Sequence, residues 1–371
     1  MTTIAYIMNI INGEPFTKYQ LDSIYRFANQ IIIVEGAYKN FSHAATEGGH
    51  SLDSTLQSIR NYPDPKNIIK LISDDGFYDE RAEMCNVLLD YVTSDVIWQL
   101  DADEFYLPET HNYIKKCFSE DPELDRVSFH FYNFFASLNY RIVGYEARQL
   151  HNVNRVHRFH KGDRWLSQRP PTLSTCDGRE KVVRKHLDGL DLETKGHVML
   201  HATLMFQEQI FSKFKFYTKK GSVVADPENH IQNIWTRFRD KLNVGGFKNS
   251  VTYLKKVDVD IPKELFQLVK DIESDAIKGF TMRDVSDIDE YFSSGSATVY
   301  SSIGKQINEL LVSGADLGFL AMLGHTLRLT IICIARIDFF TLKFVLKVLF
   351  FFILRQLYRR TRGFLNVGRG K

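Results

Sequence analysis

The sequence predicts an α/β fold in which helices flank a mostly parallel, mixed sheet, followed by apolar and basic helices at the C-terminus. Three observations support this fold class. Strand-like and helix-like segments alternate four times in about a hundred residues, as in βαβ units. The second strand-like segment, QIIIVEG, is an unbroken apolar run, as in a strand covered on both faces. Residues 317–371 are very apolar and carry ten Lys or Arg but a single acid.

The alternating segments can be assigned in order. TIAYIMNI is rich in β-branched residues and indicates a first strand, and GEPFTKYQLDSIYRFA has apolar residues at helical spacing. QIIIVEG predicts the second strand, LDSTLQSIRNY a helix and KNIIKLIS the third strand. YDERAEMCNVLLDYVT predicts an amphipathic helix and DVIWQL the fourth strand. This order is typical of a parallel sheet.

The pattern changes from Asp125 onward. RVSFHFYNFF and YRIVGYE predict strands, and RVHRFHKGDRWL a hairpin with Gly162 and Asp163 in its turn. GHVMLHATLMF predicts a further strand, with a helix from about Gln207 to Lys220. We therefore predict an α/β domain over residues 1–224, a helical and mixed extension over 225–316 and an amphipathic helical tail over 317–371.

Charge is divided unevenly along the chain of 371 residues, which is 44% hydrophobic and 25% charged. Outside residues 317–371 there are 37 Lys or Arg against 44 Asp or Glu. The near-neutral to acidic charge of residues 1–316 argues against nucleic-acid binding by that part of the chain. The basic charge of residues 317–371 favours contact with an anionic surface. The four cysteines form no C-x-x-C, and no signal peptide is evident, so we expect a reducing compartment.

Carboxylates gather where predicted strands end. The apolar run VIWQL is followed at once by Asp101, Asp103 and Glu104. Because unpaired buried charges cost several kcal/mol, water, a basic partner or a metal ion must neutralise them. Residues i and i+2 of an extended segment project the same way, so Asp101 and Asp103 can face one ligand. Mg²⁺ or Mn²⁺ prefers such oxygens and keeps positions for substrate phosphates.

Other acids follow the neighbouring strands. Glu35 ends QIIIVEG, and Asp74 and Asp75 follow KNIIKLIS. Ligands of open parallel sheets bind beyond the carboxyl ends of the strands. The sequence therefore predicts a metal-bound anionic ligand at this edge.

The segment AEMCNVLLDYVTSDVIWQLDADEFY resembles family-2-type glycosyltransferases with the Rossmann-like GT-A fold, which have a DADE after an apolar strand. IIIVEGAYKNF is similar to their nucleotide-contacting loop, and RVHRFHKGDRWLSQRPPTL and HVMLHATLMF resemble later elements of a bacterial or viral branch. The resemblance covers roughly residues 3–220, and its DADE region is the specific part. It implies transfer of a sugar from a nucleotide-diphosphate donor, most commonly a UDP-sugar, with inversion.

The resemblance also implies roles for five residues. It puts Glu35 near the nucleobase or ribose, Arg81 near the nucleotide, and Asp101 on the ribose or the metal. Asp103 would bind the metal, Mn²⁺ or Mg²⁺, and His201 would complete its site. Structural alternatives remain for three of them. Glu35 could cap the next segment, and His201 could be a core histidine. Arg81 could pair with Asp79 or Glu83 on a solvated helix.

The chain departs from these enzymes at the catalytic base. Related inverting enzymes often carry His-Glu after the R-x-F…W hairpin, and that Glu serves as general base. This sequence has Gln168-Arg169 there. Glu146 and Asp163 are the nearby candidates, and we favour Glu146 because Asp163 lies in a predicted turn.

The tail predicts membrane contact. Its longest stretch free of Asp, Glu, Lys and Arg is the eleven residues Leu317 to Leu327, whereas a bilayer span needs about 20. At helical spacing Arg328, Arg336, Lys343 and Lys347 form one basic stripe on apolar helices. Such helices can lie in a membrane interface. The alternative is a helical subdomain packed on the body or on a second subunit.

These features predict a metal-dependent glycosyltransferase at the cytoplasmic face of a membrane, peripheral or monotopic, acting on a glycan or lipid-linked saccharide. A polyprenyl-phosphate glycosyltransferase is the alternative within this chemistry. A sugar nucleotidyltransferase would need a Gly-rich basic loop, which NIINGEPFTK matches poorly. A catalytically degenerate membrane-peripheral scaffold is favoured by the missing His-Glu and opposed by the intact DADE.

Overall fold

The computed structural model describes residues 2–144, 152–168, 171–210, 228, 231–246, 251–313 and 319–367. The chain divides into two compact units. The first unit comprises Met1–Tyr132, Asn152–Ala202 and Val259–Gly279, and the second comprises Asn133–His151, Thr203–Asp258 and Phe280–Lys371. These units interleave along the chain, whereas the predicted segments 1–224, 225–316 and 317–371 are consecutive. The division into those three segments stays a prediction.

The described strands, in chain order, are β1 (Ile4–Ile10), β2 (Gln30–Glu35), β3 (Ile69–Ile72), β4 (Val96–Leu100), β5 (Glu104–Phe105), β6 (Leu124–Phe135), β7 (Ser137–Val143), β8 (Asn152–Arg158), β9 (Arg164–Gln168), β10 (Pro171–Ser174), β11 (Lys185–Leu187), β12 (Met199–Leu204) and β13 (Tyr253–Lys256). The described α-helices are α1 (Thr17–Ile24), α2 (Thr55–Arg60), α3 (Arg81–Leu89), α4 (Pro108–Glu120), α5 (Gly189–Glu193), α6 (Lys263–Glu273), α7 (Ser286–Ser293), α8 (Ser296–Ser313), α9 (Phe319–Arg336) and α10 (Phe339–Val367).

The sheet of the first unit has a parallel centre in the order β3-β2-β1-β4. The chain runs from β1 outward to β3 on one side and then returns to place β4 on the other side of β1. Strand β8 lies antiparallel between β4 and β6. This mixed, mostly parallel sheet with flanking helices confirms the predicted α/β fold class. The strand order reverses between β1 and β4, which is where open α/β sheets bind ligands.

Alternation of side chains along the central strands builds a core on each face of the sheet. Tyr6 and Trp98 belong to the core on one face. Ile7 and Ile97, their neighbours along β1 and β4, belong to the core on the other face, which α3 covers. Burial on both faces explains why these strands read as continuous apolar runs.

The predicted hairpin over RVHRFHKGDRWL is wrong in its pairing. A turn does occur there, with Gly162 at a φ of 96° and the Asp163 N–H donating to the His160 carbonyl over 2.9 Å. However, β8 is bonded along both edges, to β4 and to β6, so no edge is left for β9. Strand β9 pairs antiparallel with β10 instead. Asn86 of α3 fixes β9 by bonding both backbone groups of Trp165, at 2.7 and 3.2 Å.

The second unit contains the antiparallel pair β7 and β13, and residues 133–135 of β6 also pair with β7. Strand β13 falls in a region that the sequence indicated as helix and loop. Of the predicted helix from Gln207 to Lys220, residues 207–210 are helical and the rest lie outside the described residues. Helices α9 and α10 form most of the tail, and no helix among the described residues is long and apolar enough to cross a membrane.

Candidate functional site

The end of β4 brings Asp103 and His201 together. After Leu100 the chain turns, with the Glu104 N–H donating to the Asp101 carbonyl over 3.2 Å, and continues as β5. Strand β5 pairs antiparallel with β12, which sets His201 opposite Glu104. His201 Nε2 then lies 3.5 Å from Asp103 Oδ2. The Asp103 side chain is 11% exposed, so this pair is largely shielded from water.

A buried arginine on the neighbouring strand neutralises the other two carboxylates. Arg155 of β8 has its Nη2 3.1 Å from Asp101 Oδ2, and the same nitrogen donates to Glu104 Oε1. Glu104 Oε2 accepts from the Asp101 N–H over 3.2 Å. The Arg155 side chain is 9% exposed and that of Glu104 is 1% exposed. The basic partner that these carboxylates require is therefore part of the chain.

Burial and charge act in opposite directions on the pKa values of Glu104 and Asp101. Burial raises the pKa of Glu104 to about 7, although Arg155 opposes the shift. Burial also acts to raise the pKa of Asp101, but the positive charges of Arg155 and Arg81 outweigh it and hold the pKa below its ordinary value. Asp101 is therefore ionised at neutral pH, whereas the raised pKa of Glu104 lies close to neutral pH.

Arg81, the first residue of α3, lies near the other oxygen of the Asp101 carboxylate. Its Nη2 lies 3.6 Å from Asp101 Oδ1, and its side chain is 26% exposed. Its buried Nε has no hydrogen-bond partner within the described part of the chain. The sequence left open a pairing with Asp79 or Glu83, but Glu83 accepts from the Asp79 N–H over 2.6 Å and the structure pairs Arg81 with Asp101.

Glu35 anchors the loop that follows β2. It is fully buried, and its Oε1 accepts from the N–H and the hydroxyl of Ser51, at 2.7 and 2.6 Å. Its Oε2 lies 2.8 Å from His50 Nδ1, and His50 Nε2 lies 2.9 Å from Asp75 Oδ1. His50 thus joins the loops that follow β2 and β3. Both Glu35 oxygens have protein partners, and its predicted contact with a nucleobase or ribose stays a prediction.

The expected position of the general base holds an amide. Gln168, at the end of β9, accepts from Gln99 Nε2 over 2.8 Å. Asp163 is 2% exposed, forms an ion pair with Lys181 and accepts from the His160 N–H over 3.0 Å, so it is held within its turn. Glu146, the favoured candidate, lies outside the described residues.

Asp103 and His201 are the two residues of this site that could share a small divalent cation. No group of three or more His, Cys, Asp or Glu among the described residues is arranged to hold a metal. Mg²⁺ and Mn²⁺ sites that bind substrate phosphates often use only one or two protein ligands, however, and water and phosphate fill the rest. Neighbouring ligands of an octahedral ion lie roughly 3 Å apart, which is close to the Asp103–His201 separation. Asp101 is held by its two arginines instead.

Two residues that the structure places in this region, Arg155 and His50, were not identified from the sequence. Arg155 was assigned only to a strand, although the need for a basic partner near Asp101 was evident and RVHR supplies two arginines. His50 was not singled out, and no local motif marks it. The candidates Asp101, Asp103, His201 and Arg81 are brought together at the end of β4.

No model of a known protein family and no curated protein matches the chain. Among solved structures, S. aureus TarS in complex with UDP-GlcNAc is 16% identical with a TM-score of 0.28, over 36% of this chain and 35% of that one. Glucosyl-3-phosphoglycerate synthase from Mycobacterium tuberculosis, in complex with Mn²⁺, UDP and glucosyl-3-phosphoglycerate, is 14% identical with a TM-score of 0.27, over 40% of this chain and 47% of that one. The chain therefore spans less than half of each. The nucleotides and the metal are ligands of those proteins.

Removal of Arg155 is expected to destabilise the protein strongly. Arg155→Met leaves Asp101 and Glu104 without their buried cation, and breaking such a pair costs about 3–5 kcal/mol. Adding Glu104→Gln should restore much of this loss, because one uncompensated charge is then removed. Urea unfolding of the full chain measures both. Arg164→Met is the control, since its pair with Asp90 is exposed and contributes about 1 kcal/mol or less. A small loss in Arg155→Met, or no recovery in the double variant, would contradict this account.

The link through His50 is expected to weaken as the pH rises. Hydrogen bonds to Asp75 and then Glu35 raise the pKa of His50 above its ordinary value. The stabilisation is therefore fully present below about pH 6.5 and is lost as the pH rises through the raised value. His50→Gln should lower the free energy of unfolding by about 1 kcal/mol at low pH and by less in alkaline solution. His43→Gln, an exposed histidine of the same loop, should show no such trend. A pH-independent difference between His50→Gln and the parent would refute the link.

Proposed function

We propose that the chain is a metal-dependent glycosyltransferase of the GT-A type that uses a nucleotide-diphosphate sugar, with a UDP-sugar as the first candidate. The observation that carries this proposal is the meeting of Asp103, His201, Asp101 and Arg81 at the carboxyl end of β4. This point lies beside β1, where the strand order reverses and α/β sheets bind ligands. The DADE resemblance supports the same chemistry.

The charges of the site suit a diphosphate. Arg81 is partly exposed and begins α3, so its guanidinium and the positive end of the helix both favour an anion. Arg155 is buried and engaged with Asp101 and Glu104, so we assign it to positioning rather than to the ligand. Asp103 and His201 would hold the divalent cation. When bound, such a cation neutralises the charge of a departing diphosphate.

The acceptor must lose a proton as its hydroxyl attacks the sugar. An amide such as that of Gln168 cannot take up this proton at neutral pH, and Asp163 is engaged with Lys181. We therefore keep Glu146 as the proposed general base and inversion as the proposed stereochemical course. A glycan or a lipid-linked saccharide is the proposed acceptor, and the cytoplasmic face of a membrane the proposed location.

Nucleotide binding is expected to depend on the metal and on Asp103. Calorimetric titration of the full chain with UDP and with GDP, in Mn²⁺ and then in EDTA, should show metal-dependent binding of one nucleotide. Asp103→Asn weakens a ligand of the metal and should lower this affinity by at least about tenfold. Asp191→Asn is the control, because Asp191 is an exposed carboxylate on α5 and is not among the acids of the predicted ligand-binding edge.

The alternative outcomes of this titration are distinct. Equal losses in Asp103→Asn and Asp191→Asn would mean that general negative charge, and not the Asp103 site, is responsible. If the folded parent binds neither nucleotide, the transferase proposal fails and a catalytically degenerate scaffold takes its place.

Glu146→Gln is expected to separate binding from turnover. If Glu146 is the general base, this variant should keep metal-dependent nucleotide binding and lose roughly 10²–10⁴-fold in kcat. Asp163→Asn should keep kcat at the parent level, provided that the turn holds. Sugar transfer from the donor identified by calorimetry, measured with both variants, checks this assignment. A normal kcat in Glu146→Gln would eliminate Glu146 as the base.

A further inference from the structure

Helices α9 and α10 bury one side each within the second unit. On α9 the buried residues recur every three or four positions, and they are Met322, Thr326, Leu329 and Cys333. On α10 the same spacing is kept by Thr341, Val345, Val348, Leu349, Phe352 and Gln356. Burial at this period shows that each helix packs by a single stripe and leaves its other side outward.

The exposed residues of α9 and α10 are apolar and basic together. The apolar–basic face consists of seven large apolar residues, each between 39% and 62% exposed, and five exposed cations. Its apolar members are Leu327, Ile331, Ile334, Leu346, Phe350, Phe351 and Leu354, and its cations are Arg328, Arg336, Lys343, Lys347 and Arg355. Large apolar side chains that stay exposed in this number mark a binding site for another surface.

The acid of this region is engaged at the start of α10. Asp338 is the one acidic residue in the sequence from 319 to 367. Its Oδ1 accepts from the Thr341 N–H over 3.1 Å, and its Oδ2 accepts from the Tyr300 hydroxyl over 2.5 Å. Lys241 Nζ lies 3.3 Å from the same oxygen. Asp338 therefore caps the helix, and the cations of the face have no acidic neighbour along α9 or α10.

Charge decides which surface fits this face. A second copy of the chain would bring five cations against five cations, which repel one another. An anionic lipid surface offers phosphates to the cations and an acyl boundary to the aromatic and aliphatic side chains. Long Lys and Arg side chains suit this arrangement, because their stems can lie along apolar surface while their charges remain at the headgroups.

We propose that the apolar–basic face binds the surface of a lipid bilayer that carries anionic headgroups, with α9 and α10 lying in the interface. This interaction requires neither nucleotide nor metal, so it stands or falls separately from the proposed transferase activity. Each exposed cation contributes about a fivefold gain in affinity for an anionic membrane.

Vesicle flotation with the full chain tests the proposal. We expect the protein to float with phosphatidylcholine vesicles that contain phosphatidylglycerol, to float much less with phosphatidylcholine alone, and to be released by rising salt. Inorganic phosphate added at equal ionic strength should not release it, which distinguishes a lipid surface from a site for free phosphate. No nucleotide or metal is added.

Two sets of variants assign the binding to this face. Charge reversal at Lys343, Lys347 and Arg355 together should lower affinity for the anionic vesicles about a hundredfold or more. Phe350→Ser with Leu354→Ser should lower affinity for the same vesicles without changing the salt dependence. The matched controls reverse the exposed Lys255, Lys270 and Lys278, or replace the exposed Phe266 with Ser, and should bind as the parent does. Thermal unfolding checks that every variant is folded.

Three results would overturn the proposal. One is a folded parent that floats with neither kind of vesicle. Another is equal loss of binding in the Lys343, Lys347 and Arg355 variant and in its lysine control, because the effect would then reflect net charge alone. The third is a concentration-dependent dimer in solution that Phe350→Ser with Leu354→Ser abolishes, because a second copy would then be the occupant.

Discussion

The buried contact of Arg155 with Asp101 and Glu104 is the constraint on which the candidate site depends. Three charged side chains meet at the end of β4, and the two buried ones, Arg155 and Glu104, would each be costly to bury alone. Their mutual pairing is possible only because β8 runs antiparallel beside β4 and carries Arg155 to the point where β4 ends. Removing that strand from its place would leave Glu104 without its cation and Asp101 with Arg81 alone.

The same contact separates the roles of the three carboxylates. Asp101 forms ion pairs with Arg155 and Arg81, and Glu104 forms one with Arg155. These two carboxylates therefore have a structural role. Asp103 lies on the other side of the turn, where β12 brings His201 to it. The proposed metal ligands, Asp103 and His201, are thus separate from the ion pairs of Asp101 and Glu104.

Much of the fold could be predicted from the sequence because its signals are local. The apolar runs of β1, β2 and β4 and the amphipathic pattern of α3 depend on neighbours in sequence. The predicted hairpin was wrong because β8 pairs with a strand on each of its two edges, and local residues do not encode that pairing.

Asp101 and Asp103 could be identified from their spacing after an apolar strand. Arg155 could not, since it lies 54 residues from Asp101 and meets it only through strand pairing. Glu35 was recognised as an end-of-strand acid, but its partners Ser51 and His50 depend on how the loop closes.

A crystal structure of the full chain grown with Mn²⁺ and the nucleoside diphosphate that binds it would test the central claim most directly. Anomalous scattering would locate the metal without reference to any assumed ligand. The account predicts one manganese peak beside Asp103 and His201, with the diphosphate reaching toward Arg81 and the contacts of Arg155 with Asp101 and Glu104 retained. A peak elsewhere in the molecule, or a nucleotide bound away from the end of β4, would contradict it.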